Sequence, residues 1–233
     1  MGEVTPIVNP VFAEEPAAGA LAVALHTVTL VPNNVALPQA SVLRHFLDKG
    51  LSVYDRQALI ELIQRQALQF GQFTLASGKT ASYYLDCRKV TLDATGARLI
   101  AEGIFELLEP NWPDAVGGMA VGADPITGAV ITLAGMRGKQ LKGFIVRKEP
   151  KTHGTRNVVE GPVSPADRCV VLEDVVTTGS SSLEAIARLE AQQMRVVGII
   201  AVVDRLEGAA QTFHERGYPF QSLLTVRDLG IQP

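Results

Sequence analysis

Short, continuously apolar runs that alternate with helical segments are the feature that most constrains the fold of this chain. Such runs occupy residues 115–121, 168–174 and 194–204. A strand that is apolar throughout is covered on both faces, as in parallel sheets whose crossover helices lie on each side. Helical patterns separate these runs, so we predict an α/β fold in which a parallel sheet is flanked by helices. The 233 residues, 47% of them hydrophobic, are sufficient for a large core.

Two further helices are predicted from their capping residues. Asp55 precedes an apolar stripe with helical spacing, which predicts a helix that continues to Gly71. Asp93 precedes a second helical pattern, which predicts a helix that ends at Pro110.

The segment between these helices, FTLASGKTASYYLD at residues 73–86, predicts a hairpin-like turn, with strand character over residues 82–92. Its SGKTAS sequence is similar to the end of a nucleotide-binding P-loop. A P-loop requires glycine where this chain has Phe73, and it leads into a helix rather than a strand. We therefore exclude a P-loop, and with it a nucleotidase whose acid pair holds Mg²⁺ opposite such a loop.

The N-terminal segment has a different composition from the rest. Residues 1–40 contain no Lys or Arg, whereas targeting peptides begin with positive charge. The most apolar run, residues 17–25, is shorter than the ~20 residues that cross a bilayer. We predict an extension over residues 1–40, poorly ordered or draped over a domain of residues 41–233. The isolated cysteines Cys87 and Cys169 fit a reducing cytoplasm.

Residues 170–182, VVLEDVVTTGSSS, join an apolar strand to a helix through a loop of hydroxyls and glycine. Backbone N–H groups at the helix start, together with these hydroxyls, suit one phosphate. Glu173 and Asp174 at the strand end can accept hydrogen bonds from sugar hydroxyls. The pattern predicts a ligand with a ribose and a 5-phosphate. The alternative is that Ser180 only caps a helix and both acids are solvated.

A basic loop follows the strand predicted at residues 141–147. Its five basic residues lie within ten positions that Pro150 and Gly154 interrupt: Arg147, Lys148, Lys151, His153 and Arg156. Charged loops are usually solvated surfaces. Because the chain has a net charge of −3, which argues against general affinity for nucleic acid or anionic membrane, we interpret the loop as a mobile flap over a local polyanion.

Two other strand ends carry candidate ligand contacts. Residues 121–128, VGADPITG, start a helix whose backbone amides can support a pyrophosphate. Arg205 follows the strand at residues 194–204, where its guanidinium can bind a carboxylate or form a surface ion pair with Glu207. The sequence leaves both roles of Arg205 open.

Four of these segments, in this order, resemble the orotate phosphoribosyltransferase family of type I phosphoribosyltransferases. They are FTLASGKTASYYLDCRKVTLD, RKEPKTHG, VVLEDVVTTGSS and VVDRLEG, and the resemblance extends from about residue 55 to the C-terminus. It implies a type I phosphoribosyltransferase fold with a small hood region and a mobile basic flap. It also implies transfer of the phosphoribosyl group from phosphoribosyl pyrophosphate to orotate in pyrimidine synthesis, with Mg²⁺ required.

The resemblance further implies roles for individual residues. Lys151 and Asp174 would be catalytic, Thr177 and Arg205 would contact orotate, and Tyr84 would pack near its ring. Arg147, Lys148, Lys151 and His153 would bind the pyrophosphate from the neighbouring subunit of a homodimer. The ribose and 5-phosphate would be held by Glu173, Asp174, Val175, Val176, Thr177, Thr178, Gly179, Ser180 and Ser181.

The resemblance is incomplete at two positions, Ala76 and Asp124, where some members carry lysine. Two other functions are also considered: a regulator that senses phosphoribosyl pyrophosphate without catalysis, and a purine phosphoribosyltransferase. The basic loop and the negative net charge argue against the regulator. Arg205 favours a base with a carboxylate, which argues against a purine.

Overall fold

The computed structural model describes residues 54–74, 80–149 and 157–232. The helices are α1 (Arg56–Gln66), α2 (Arg88–Thr91), α3 (Ala94–Leu108), α4 (Ala123–Met136), α5 (Ser180–Glu190) and α6 (Ala209–Glu215). The strands are β1 (Leu68–Thr74), β2 (Thr80–Leu85), β3 (Ala115–Met119), β4 (Lys142–Val146), β5 (Val159–Glu160), β6 (Arg168–Val176), β7 (Arg195–Asp204) and β8 (Phe220–Thr225). Short 3₁₀ helices follow α3 and β8.

A six-stranded sheet forms the centre of the described part of the chain, in the order β5-β4-β3-β6-β7-β8. Strands β4, β3, β6, β7 and β8 are mutually parallel, and β5 pairs antiparallel with β4. This arrangement confirms the predicted α/β class. Strands β1 and β2 form a separate antiparallel pair, which confirms the predicted hairpin.

The sheet is buried on both faces, as the apolar runs predict. In β6, Val170 and Leu172 pack in the core formed with α1, α3 and α4. Cys169 and Val171 pack in the core formed with α5 and α6. Successive side chains of a strand point to opposite faces, so this alternation also determines which way the residues that end β6 point.

The first helix is shorter than predicted. It ends at Gln66, and residues predicted to continue it to Gly71 lie in β1 instead. Phe70, which matches the helical spacing, is 72% exposed. The buried stripe stops at Ala67, and pairing with β2 provides the backbone hydrogen bonds of the following residues.

The strand character predicted over residues 82–92 is also only partly correct. Strand β2 ends at Leu85, and the short helix α2 begins at Arg88. The helix predicted from Asp93 is confirmed, since the Asp93 side chain accepts hydrogen bonds from the Thr95 and Gly96 backbone N–H groups. Among the described helices, none is long and apolar enough to cross a membrane.

Candidate active site

The two carboxylates that follow the apolar part of β6 point to opposite faces of the sheet. Glu173 continues the face of Val171, towards α5, and Asp174 continues the face of Leu172, towards α4. Their surroundings differ for this reason, although the residues are adjacent in sequence.

Glu173 is buried, with 7% of its surface exposed. The hydroxyl of Ser182, in the first turn of α5, donates a 3.0 Å hydrogen bond to its Oε2. Burial, followed by repulsion from Asp174, raises the pKa of Glu173 to about 7. The prediction that both acids could be solvated is therefore wrong for Glu173.

Asp174 lies against the start of α4. A side chain at Gly122, the residue before that helix, would place its Cβ 2.7 Å from Asp174 Oδ1, so only glycine permits this approach. The backbone N–H of Val175 donates to Oδ1 at 2.9 Å. Burial raises the pKa of Asp174, while its backbone hydrogen bonds and the charge of Arg88 act in the opposite direction.

A cavity of about 430 Å³ opens beside Asp174. Four parts of the chain that are distant in sequence line it: the end of β2 with the start of α2, the β3–α4 turn, Lys148 after β4, and the end of β6 with the start of α5. The lining residues that carry chemistry are Tyr84, Asp86, Arg88, Gly122, Lys148, Glu173, Asp174 and Ser181.

Sequence reasoning missed Asp86 and Arg88, whereas Gly122 lies within residues 121–128, the turn predicted to support a pyrophosphate. The signal that could have found Asp86 and Arg88 is the change from apolar residues to the charged sequence DCRK where β2 ends. Ligands of parallel α/β sheets bind beyond the carboxyl ends of the strands. The hairpin does not belong to that sheet, so only the fold brings its end to this edge.

The loop after β6 leads directly into α5. Gly179 is the residue before the helix, with φ of +84°, and a Cβ at this position would lie 2.6 Å from the Phe213 ring. Ser180 is the first helical residue and forms no capping hydrogen bond, so the alternative that Ser180 acts only as a cap is wrong. The first N–H groups of a helix lack partners within it, and hydroxyl-bearing residues precede and begin α5, with Thr178 Oγ1 3.5 Å from Ser180 Oγ.

The basic loop begins after β4, beside α5. Arg188 of α5 donates hydrogen bonds to the carbonyl oxygens of Arg147 and Lys148, the latter at 2.9 Å. The side chain of Lys148 lines the cavity, whereas Arg147 lies 3.8 Å from a carboxylate oxygen of Glu160. The start of the loop is therefore attached to the helix that follows Gly179.

Arg205 is held from two sides just beyond β7. Its Nε donates a 2.9 Å hydrogen bond to the Tyr83 hydroxyl, and its guanidinium carbon lies 4.9 Å from the centre of that ring. Its Nη2 lies 2.8 Å from a carboxylate oxygen of Glu207. The ion pair considered in the sequence is thus present, and it does not exclude a ligand contact, because a guanidinium has five N–H donors.

Other predicted residues cannot be placed in the same way. Lys151, His153 and Ala76 lie outside the described residues. Asp124 is described, in the first turn of α4, but it does not line the cavity. Within residues 54–74, 80–149 and 157–232, no three His, Cys, Asp or Glu side chains cluster as a metal site.

Two curated relatives of the chain carry the same enzyme name. The orotate phosphoribosyltransferase of Rhodopirellula baltica is 49% identical over 185 residues, which cover 77% of this chain and 96% of the relative. The enzyme of the same name from Aquifex aeolicus is 41% identical over 178 residues, covering 75% and 97%. No protein-family model matches the chain.

Solved structures are similar to the chain over the same share of its length. The orotate phosphoribosyltransferase of Mycobacterium tuberculosis in complex with phosphoribosyl pyrophosphate has a TM-score of 0.66 and 34% identity, covering 76% of this chain and 99% of that one. A phosphoribosyltransferase from Corynebacterium diphtheriae has a TM-score of 0.68 and 37% identity, covering 76% and 98%. An adenine phosphoribosyltransferase from Leishmania tarentolae, 16% identical, shows the fold alone.

Proposed function

The chain belongs to the orotate phosphoribosyltransferase family, and we propose that the cavity beside Asp174 binds both substrates of that family's reaction. The protein is a pentosyltransferase of UMP synthesis with the type I phosphoribosyltransferase fold. It transfers the phosphoribosyl group from phosphoribosyl pyrophosphate to orotate, which yields orotidine 5′-phosphate and diphosphate. We assign the site on one observation: Asp174, Lys148 and the start of α5 line the same cavity.

The 5-phosphate of the substrate binds at residues 177–181. The N–H groups at the start of α5 and the hydroxyls beside them provide donors for phosphate oxygens, and the helix dipole favours the negative charge there. The close contact between Gly179 and Phe213 supports this role, because it lets the backbone turn tightly without a side chain over the site. The ribose then lies next to Asp174.

Asp174 stabilises the transition state through its charge. As the bond from C1 of the ribose to the diphosphate breaks, positive charge develops on the sugar and negative charge on the leaving group. A carboxylate held beside the sugar favours that positive charge. Cationic side chains of the basic loop, among them Lys148 and Lys151, favour the departing diphosphate.

Orotate binds beside the hairpin, with its ring at the cavity and its carboxylate towards Arg205, which contacts Tyr83 and is not itself among the residues that line the cavity. A guanidinium held by Tyr83 and Glu207 is restricted in orientation, and it can form charge-assisted hydrogen bonds with the orotate carboxylate. Tyr84, which lines the cavity, packs near the pyrimidine ring. Thr177 contacts orotate from the loop after β6.

Magnesium fits this site as an ion bound mainly by substrate. Mg²⁺ keeps several waters and uses one or two carboxylates together with phosphate oxygens. Asp174 is a carboxylate that lines the cavity, and among the described residues no three His, Cys, Asp or Glu side chains are placed to hold a metal ion together. When bound, Mg²⁺ neutralises charge on the diphosphate.

Family membership and the sequence support a proposal for the assembly and the location. We propose a cytoplasmic homodimer in which the basic loop of one subunit reaches the active site of the other. The division into an extension of residues 1–40 and a catalytic domain of residues 41–233 stays a prediction. Size-exclusion chromatography with light scattering of the full chain tests the dimer, and a monomer that retains full activity would contradict it.

The proposal is tested with purified full-length protein, orotate, phosphoribosyl pyrophosphate and Mg²⁺. We expect the absorbance of orotate to fall and diphosphate to appear in equal amount, with no turnover of adenine or hypoxanthine. Turnover of a purine would contradict the assignment of the base. Binding of phosphoribosyl pyrophosphate without turnover would instead support the sensing regulator.

Substitution Lys151→Ala tests the role of the basic loop. Removal of one charge-stabilising group should lower kcat by about 100-fold or more while leaving the fold intact. Lys139→Ala is the control, since Lys139 lies at the opposite end of α4 from the cavity. An unchanged kcat in Lys151→Ala would remove Lys151 from the mechanism.

A further inference from the structure

Arg88 is a basic residue that lines the cavity and has no role in the function proposed above. It is the first residue of α2, directly beyond the hairpin, and its side chain is 55% exposed. The cavity that it lines also contains Asp174 and Lys148. Its neighbour Lys89 belongs to the same helix and does not line the cavity.

The guanidinium of Arg88 is held in a defined orientation by Asp86. Nε donates to Asp86 Oδ1 at 2.8 Å and Nη2 donates to Oδ2 at 3.2 Å, so the guanidinium and the carboxylate form a bidentate pair. Asp86 Oδ1 also accepts from the Arg88 backbone N–H at 3.3 Å. These side-chain bonds occupy two of the five guanidinium N–H donors, which leaves others for a ligand.

The charges around the cavity indicate which ligand group Arg88 meets. Asp86, Glu173 and Asp174 all line it and would repel an anion, whereas Lys148 and Arg88 are its basic side chains within the described residues. The 5-phosphate has its own donors at the start of α5, and the orotate carboxylate has Arg205. The diphosphate remains, and Gly122 at the start of α4 lines the same space, where a helix favours negative charge.

We propose that Arg88 is a further substrate-binding residue, which donates hydrogen bonds to the diphosphate group of phosphoribosyl pyrophosphate, and that Asp86 is the positioning residue that orients it. This inference rests on the proposed function, since it assumes that the cavity receives that substrate. A planar guanidinium fixed by a carboxylate suits bidentate contact with phosphate oxygens.

Binding of inorganic diphosphate, measured by calorimetry in the presence of Mg²⁺, tests the proposal without relying on turnover. Arg88→Ala should weaken diphosphate binding by about tenfold or more, the scale of one charge-assisted hydrogen-bonded contact. Lys89→Ala removes the same charge from the same helix and should leave the Kd within about twofold. Arg88→Lys, which keeps the charge but loses the fork to Asp86, should fall between them.

Steady-state kinetics distinguish a contact of Arg88 with the diphosphate from a contact with orotate. In Arg88→Ala, KM for phosphoribosyl pyrophosphate should rise by about tenfold and KM for orotate should stay within about twofold. Asp86→Asn should also raise KM for phosphoribosyl pyrophosphate, by a smaller factor. If Asp86 had only a structural role, this substitution would lower thermal stability and leave the ratio of the two KM values unchanged.

Two results would overturn the inference. Unchanged diphosphate binding in Arg88→Ala, with thermal unfolding like the wild type, would show that Arg88 does not contact the diphosphate. A rise confined to KM for orotate would place Arg88 at the base instead. If the wild type binds diphosphate through Arg88 but does not consume orotate, the proposed function fails while the diphosphate site stands.

Discussion

The two faces of β6 at its carboxyl end place adjacent carboxylates in different surroundings. On the α5 face, Glu173 also reaches the cavity, but it is buried and accepts a hydrogen bond from Ser182. On the α4 face, Asp174 lies beside Gly122, which has no side chain, and borders the cavity with Arg88. The comparison indicates that two adjacent acids in one motif can have different roles. We expect Glu173 mainly to fix the start of α5, and Asp174 to act on the substrate.

Asp174→Asn should have the largest effect. Asparagine keeps an oxygen that can accept from the Val175 N–H, so the fold should be retained, but the negative charge beside the ribose is lost. We expect kcat/KM to fall by about 100- to 1,000-fold, as for removal of one group that stabilises transition-state charge. The comparison would fail if Glu173→Gln lowered kcat/KM as much as this substitution does.

Glu173→Gln should mainly change how stability depends on pH. The folded-state pKa of about 7 lies above the ordinary value of 4.5, so the carboxyl contributes stability that is fully present below about pH 4.5 and is lost as pH rises through about 7. Between pH 5 and 8 the wild type should therefore lose about 2 kcal/mol of unfolding free energy relative to the variant.

Urea denaturation of both proteins at several pH values measures this difference. Glutamine keeps an oxygen that can accept from Ser182, which makes it a matched replacement. Ser182→Ala sharpens the test, because the Ser182 hydrogen bond lowers the pKa of Glu173 and its removal should move the transition to higher pH. Parallel pH profiles for wild type and Glu173→Gln would show that Glu173 is not the titrating group.

Arg205→Ala should have the smallest of the three effects and should change only the binding of orotate. Loss of one guanidinium contact to a carboxylate should raise KM for orotate by about tenfold, with KM for phosphoribosyl pyrophosphate nearly unchanged. Tyr83→Phe removes only the 2.9 Å hydrogen bond that orients Arg205, and should raise KM for orotate less. A change confined to phosphoribosyl pyrophosphate would contradict this role of Arg205.

Prediction from sequence succeeded where a local interaction defines the element. Asp93 caps α3 as predicted, because its carboxylate reaches N–H groups two and three residues ahead. It failed at the end of α1, where Phe70 matches the helical spacing but belongs to β1. The helix α6 and the strand β8 were not predicted, since short elements have weak periodic signals of their own.

By itself, the sequence determined the apolar strands of the sheet, the acid pair at the end of β6 and the glycine before α5, because each is defined by residues that are neighbours along the chain. Only the tertiary structure decided that Glu173 and Asp174 face opposite cores, that Gly122 leaves space for Asp174, and that Arg88 borders the same cavity. These contacts join segments that are far apart in sequence. Their formation depends on how helices and the hairpin pack against the sheet, which local propensity does not specify.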